Sequence, residues 1–217
     1  MADFTIYIGN KNYSSWSLRG WLMLKQTGVA FTEEMIALDQ AATRPSILRR
    51  SPSGKVPALR HGELVVWESL AIGEYLAELY PAARLWPEAP TARAVARAAS
   101  AEMHAGFAAL RSHLPMNMRA SFPDRGLTPA VEADIERIAA LWRNCRERFG
   151  ADGPFLFGSL TIADAMFAPV VSRFRTYRVA LEAEAQRYCD AVWALPALQE
   201  WVEAARNEPM MIGRLEF

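Results

Sequence analysis

Apolar and β-branched residues run without interruption from Phe4 to Ile8 and stop at Gly9 and Asn10, a pattern that predicts a buried strand. A polar loop follows, and then Leu18, Trp21, Leu22 and Lys25 fall at helical spacing, with Gly28 where such a helix ends. Val29 to Leu38 reads as a second extended segment, Thr43 to Arg50 as a short helix, and Ser51-Pro52-Ser53-Gly54 as a break. Val56 to Leu59 and Leu64 to Val66 read as two short strands joined by a tight turn at His61-Gly62. Ile72, Tyr75, Leu76 and Leu79 then restore the helical period. The order over residues 1–80 is β-α-β-α-β-β-α.

The pattern changes in residues 80–90, YPAARLWPEAP, where three prolines among small residues predict a linker, assigned to 81–90. Beyond it, 91–217 reads as helical almost throughout. Ala92 to Leu114 is alanine-rich and predicts one long helix. Thr128-Pro129 is a favourable start for another, because threonine caps and proline fits the first turn. Val131, Ile135, Ile138, Trp142, Cys145 and Phe149 lie on one face of that helix and predict its core side. Thr161 and Asp164 have the spacing of a capping box, and Pro169 falls inside the helix that follows, where it predicts a kink. The fold class is therefore an α/β domain followed by an all-α domain.

Composition removes several function classes. The chain has 217 residues with 24 basic and 24 acidic side chains, so no basic excess is present to neutralise a nucleic-acid backbone. The N-terminus lacks the features of a signal peptide, and no stretch approaches a membrane span. Two distant cysteines, Cys145 and Cys189, suit a reducing compartment, so a cytoplasmic protein is expected. His61, His104 and His113 show no metal-ligand spacing, and no metal is expected.

Three segments carry a resemblance. SPSGKVPAL (Ser51 to Leu59) is similar to the loop before a cis-proline in the glutathione S-transferase family, WES (Trp67 to Ser69) resembles that family's site for the γ-glutamyl end of glutathione, and GSLTIADA (Gly158 to Ala165) resembles its capping-box motif. The resemblance covers essentially the whole chain. It implies a thioredoxin-like N-terminal domain with a mixed four-stranded sheet, glutathione as co-substrate, a small electrophile as second substrate, and a homodimer. It assigns glutathione binding to Lys55, Val56, Pro57, Glu68 and Ser69. Each also has an ordinary reading: Ser69 as a helix cap, Glu68 as a charge complementing a helix dipole, Lys55 as a solvated cation.

NYSSWSLR (Asn12 to Arg19) supplies the candidate chemistry. A serine hydroxyl is too weak an acid to remove a thiol proton, but at a helix N-terminus it can donate a hydrogen bond to a thiolate and favour the charged form. SSWSLR is most similar to the zeta-class motif, in which the catalytic serine maps onto Ser14; the theta-class pattern selects Ser15 instead. Ser14 is preferred, with Ser15 as a supporting donor. Trp16 stands where zeta enzymes carry cysteine, which puts maleylacetoacetate isomerase activity in doubt. Arg19 is expected to pair with a carboxylate, and Tyr13 is a minor candidate for the sulfur donor. Met116, Arg119, Arg173, Arg175 and Tyr177, with Trp16, are candidates for the electrophile site. A non-catalytic binding module on the same fold is the alternative from another class.

Overall fold

The computed structural model describes residues 3–216. Strand β1 (Phe4–Ile8) is buried along its whole length and forms the second strand of a four-stranded sheet. On one side it pairs in parallel with β2 (Phe31–Met35); on the other it pairs antiparallel with β3 (Ala58–His61), which in turn pairs antiparallel with β4 (Leu64–Trp67). The sheet order is β2-β1-β3-β4. Helix α1 (Ser15–Gln26) makes the parallel crossover, α2 (Thr43–Leu48) leads towards β3, and α3 (Ser69–Leu79) follows β4. This is a thioredoxin-like domain. Gly62, at φ +58°, makes the β3–β4 turn.

The third strand begins two residues later than Val56. The Val56–Pro57 bond is cis, and pairing with β1 starts where Ala58 meets Tyr7. Proline has no N–H to give to a ladder, so the strand starts beyond it. On the outer face of the sheet, Tyr7, Ile36, Ile47 and Ala58 form a small separate cluster beneath α2.

The segment 81–89 is packed against both parts of the chain. It contains a 3₁₀ turn (Pro81–Ala83), buries Leu85 and Trp86, and bonds the Leu85 carbonyl to Ile162 N–H at 2.8 Å. The helical domain then comprises α4 (Pro90–Ala105), α5 (Ala108–His113), α6 (Pro129–Phe149), α7 (Ile162–Thr176), α8 (Ala183–Trp193) and α9 (Pro196–Arg206). The long helix expected over Ala92 to Leu114 is two helices. Gly106 is extended and Phe107 left-handed (φ 59°), which turns the Phe107 ring into the core. The new N-terminus is satisfied from another element: Asp134 on α6 accepts Leu110 N–H at 2.9 Å.

Helix α6 starts as expected, with Thr128 accepting Val131 N–H. Val131, Ile138, Trp142 and Cys145 are buried, and Ile135 and Phe149 pack against them. Trp142 lies edge-on to Tyr188 and Phe167. Helix α7 is buried on nearly every side, runs on through Pro169, and packs against α1, α4 and α8. One continuous apolar core therefore joins the inner face of the sheet to the helical domain.

The start of α7 carries the capping box. Asp164 is fully buried and collects four hydrogen bonds. Oδ2 accepts from Thr161 N–H (2.8 Å) and the Thr161 hydroxyl (3.0 Å), while Oδ1 accepts from Leu156 N–H (3.1 Å) and the Tyr188 hydroxyl (3.2 Å). Burial pushes its pKa up to about 6, against the opposing pull of those donors. Asp164→Ala strands buried donors of three segments and is expected to cost about 3 kcal/mol of stability, measured by urea unfolding.

Candidate functional site

The turn entering α1 is built on one carbonyl: Asn10 C=O accepts Tyr13 N–H (3.1 Å) and Ser14 N–H (2.8 Å). Ser14 is the N-cap. Its Oγ accepts Ser17 N–H at 3.4 Å and donates to Ser17 Oγ at 2.7 Å, and Ser17 Oγ also takes Gly9 N–H at 2.9 Å. The Ser14 proton is thus spent on the protein. Ser15 is the first residue of the helix, and its hydroxyl makes no hydrogen bond among the described residues. It opens into a cavity of about 520 Å³. The two serines, adjacent in sequence with Ser14 the one preferred there, differ in what their hydroxyls are free to do.

The opposite wall comes from the segments flanking the β3–β4 hairpin. Lys55, Val56 and Pro57 line it, and Val56 precedes β3 without joining the ladder. Glu68 has φ 69°, a conformation costing a non-glycine residue about 1–3 kcal/mol, and it turns the chain abruptly from β4 into α3. Glu68 and Ser69 both reach the cavity. Ser69 is the first residue of α3 and nearly fully buried, its Oγ 4.0 Å from Met166 Sδ. Gly20 lets α1 approach this wall, since a Cβ there would sit 3.0 Å from Pro57 Cγ.

The cavity therefore brings together Ser14, Ser15, Trp16, Lys55, Val56, Pro57, Glu68 and Ser69. It also includes His104 of α4, which sequence reasoning missed because a single histidine on an alanine-rich helix carries no motif. His104 Nε2 lies 3.6 Å from Glu68 Oε2, and the His104 ring meets the Trp16 ring edge-on. Desolvation lowers the His104 pKa, Glu68 raises it, and Arg19, Arg111 and Lys55 lower it further; the net direction is down.

Five candidates for the second-substrate site do not line this cavity. Met116 is buried in the core. Arg119 is held by the carbonyls of Glu208 and Met210 and by the Tyr13 hydroxyl. Arg173 is buried, donating to the Leu114 and Pro169 carbonyls. Arg175 is exposed, beside Asp190 and over Trp193. Tyr177 is buried and donates to the Pro115 carbonyl. Tyr13 lines the cavity, but its hydroxyl is taken up by Glu216 and Arg119. Arg19 corrects another expectation: among the described residues no carboxylate pairs with it, and its Nε donates to the Met166 carbonyl at 2.9 Å.

The C-terminal segment braces the loop that carries the serines. Glu208 accepts Lys11 N–H (2.9 Å) and Asn12 N–H (3.1 Å) through its two carboxylate oxygens, and Asn12 Nδ2 donates to Asn117 Oδ1 at 3.0 Å. Among the described residues no group of His, Cys, Asp and Glu could hold a metal ion, and no helix is long and apolar enough to cross a membrane.

Comparison with known proteins gives this geometry a lineage. Residues 13–79 match the family described as "Glutathione S-transferase, N-terminal domain", and residues 93–204 match "Glutathione S-transferase, C-terminal domain". The chain belongs to the glutathione S-transferase family. Among individual members it is similar to glutathione S-transferase L3 of Arabidopsis thaliana, with 25% identity over 190 residues, 85% of this chain and 71% of that protein. It is 34% identical to maleylacetoacetate isomerase of Mus musculus over 90 residues, 42% of this chain and 36% of that one. A solved glutathione transferase homolog from Burkholderia gl BGR1, with bound glutathione, superposes with a TM-score of 0.72 at 25% identity, covering 94% of this chain and 99% of that one.

Within this family member the cysteines stand apart from the cavity. Cys145 and Cys189 are buried, and desolvation pushes their thiols up to about 11 and about 12. Iodoacetamide at pH 8 is expected to leave both unmodified in the native protein and to alkylate both in urea, as read by mass spectrometry. Glu208→Ala removes the acceptor for two loop amides, and hydrogen exchange at Lys11 and Asn12 should quicken by about tenfold.

Proposed function

We propose that this protein is a glutathione transferase in which Ser15 donates the hydrogen bond that stabilises the glutathione thiolate. The observation that carries this reading is the unengaged Ser15 hydroxyl at the N-terminus of α1, opening into the same cavity as Val56, Glu68 and Ser69. Glutathione's thiol, like a free cysteine with pKa of about 8.5, is mostly protonated at neutral pH. A donated hydrogen bond together with the positive end of the helix dipole lowers that value and raises the thiolate fraction. Ser14 acts behind it, capping the helix and orienting its first turn.

The remaining groups suit an extended anionic tripeptide. Val56, outside the ladder, offers main-chain N–H and C=O to the cysteinyl residue in the manner of an added strand. Ser69 and the N-terminus of α3 take the γ-glutamyl carboxylate, and Glu68 takes the α-amino group. Lys55, exposed at the rim, takes the glycine carboxylate. The bound thiolate then attacks a small electrophile entering beside Trp16. The reading includes a homodimer, supported by exposed Leu64 and Trp67 on edge strand β4; sedimentation of a clean monomer would count against that part.

A second reading, a glutathione-dependent cis-trans isomerase, is favoured by the 34% identity to the mouse isomerase and opposed by the indole of Trp16 in the cavity wall. No turnover of maleylacetoacetate would remove it.

Ser15→Ala should raise the pKa of the bound thiol by about one to two units, followed through thiolate ultraviolet absorbance against pH. Ser14→Ala should instead cost about 1 kcal/mol of stability through loss of the cap, with a smaller change in thiol pKa. An unchanged pKa in Ser15→Ala defeats the assignment. Ser69→Ala is expected to weaken glutathione binding by about tenfold in calorimetry. No binding to the unmodified protein at millimolar glutathione would instead favour a non-catalytic module.

A further inference from the structure

Around the Trp16 ring lies a group of arginines that form no ion pair with a carboxylate among the described residues. Arg19 is fully buried, its Cζ 4.2 Å from the Trp16 ring centroid, and neither Nη1 nor Nη2 has a hydrogen-bond partner among the described residues. Arg111 of α5 reaches the same ring, its Cζ 5.5 Å from the centroid, and donates to the His104 carbonyl. Arg173 of α7 is buried close enough to act on Arg19, and it donates only to carbonyls. Among the described residues none of the three forms an ion pair with a carboxylate. Asp134, on α6, acts on Arg111 but gives one of its oxygens to Leu110 N–H. Burial and the mutual repulsion of the cations hold Arg19 well below the usual guanidinium range.

A buried guanidinium with idle donors is costly to take out of water, and natural folds normally meet that cost with a carboxylate. Among the described residues no carboxylate pairs with Arg19 or Arg173, and Asp134 acts on Arg111 without an ion pair. His104 Nδ1 is a further buried polar atom without a partner among the described residues, on the residue that meets the same indole edge-on. Trp16 and His104 both line the cavity that Ser15 enters. Idle buried donors, cations that make no ion pair among the described residues, and the cavity wall therefore converge on one ring.

We infer that the electrophile is an anion: its carboxylate or equivalent oxyanion binds beside Trp16, drawn by Arg111, Arg19 and Arg173, with the reactive carbon held towards Ser15. This rests on the glutathione-transferase reading and names the class of acceptor for it. Arg111 is not among the residues that line the cavity, but it is half-buried where Arg19 and Arg173 are buried, and its Cζ stands 5.5 Å from the Trp16 ring that does line it, which makes it the one of the three to meet the anion. Arg19 and Arg173 supply the field from behind the indole, which is strong because little water screens it. On an aromatic acceptor bearing chloride, the thiolate lone pair forms the C–S bond at the ring carbon, and the C–Cl electron pair leaves with chloride. The carboxylate takes no part in that exchange and serves recognition alone.

The test separates recognition from chemistry with a pair of probes matched in shape. Calorimetry with 3,5-dinitrobenzoate and 3,5-dinitrobenzamide, neither carrying a leaving group, reads the subsite in the free protein whether or not glutathione is turned over. The benzoate is expected to bind about tenfold more tightly than the amide, the gain of one charge-assisted contact. Arg111→Gln should erase that preference and Arg111→Lys should keep most of it, while glutathione affinity stays the same in both. The same order should appear as a KM difference between 4-chloro-3,5-dinitrobenzoate and its amide, with kcat little changed. Equal binding of benzoate and amide by the unmodified protein overturns the inference, as does a preference that survives Arg111→Gln. Equal loss of glutathione and benzoate binding in Arg111→Gln also overturns it, because the cluster would then serve glutathione's own carboxylates. Failure of the parent reading looks different: no calorimetric signal with glutathione, whatever the benzoate does.

Discussion

The buried carboxylate of Asp164 is the constraint on which the arrangement depends. A charge taken out of water is tolerated only when donors surround it, and here the donors come from the residue preceding α7, the loop before it and α8. Those bonds set where α7 begins and how it lies. Because α7 packs against α1, α4 and α8, its position decides where the first turn of α1 stands relative to the helical domain. The serines are on that turn. A polar interaction far from the cavity in sequence therefore sets the geometry of the cavity wall.

At the cavity itself local stability is given up. Glu68 holds a left-handed backbone, Ser15 leaves its hydroxyl without a protein partner, and Arg19 buries a guanidinium with idle donors. Each would be cheaper if relaxed, and strain or dissatisfaction gathered around one cavity is what a binding site imposes on a fold. The surroundings compensate with a continuous apolar core and with a C-terminal segment that clamps the serine-bearing loop through Glu208 and through the Tyr13–Arg119–Glu216 contacts. Tyr13, one residue before the paired serines, is structural for that reason. Its hydroxyl already serves the tail.

Much of this was legible in the linear pattern where local physics suffices. The strand at Phe4–Ile8, the stop at Gly28, the cap at Thr128, the stripe through Trp142 and the box at Thr161 and Asp164 each involve residues within a few positions of one another. Spacing encodes such relations directly. The break at Gly106 was not legible, because it is repaid by burial of the Phe107 ring and by Asp134 capping from α6, neither visible along the chain. The same holds for Arg119, Arg175 and Tyr177: arginine and tyrosine types suit a substrate site, but their carbonyl and carboxylate partners were unreadable until the helices packed.

By itself the sequence determined the two-part architecture and the caps, because periodicity and short motifs act over a few residues, and its resemblance to the family implied the cis-proline loop. Only the tertiary structure decided which of two adjacent serines keeps a free hydroxyl. That choice turns on Ser17, which holds Ser14 while it is itself bonded to Gly9 on the far side of the turn. It was also the fold that placed Arg19, Arg111 and Arg173 around one indole with no ion pair to a carboxylate among the described residues, since they come from α1, α5 and α7, elements far apart in the chain.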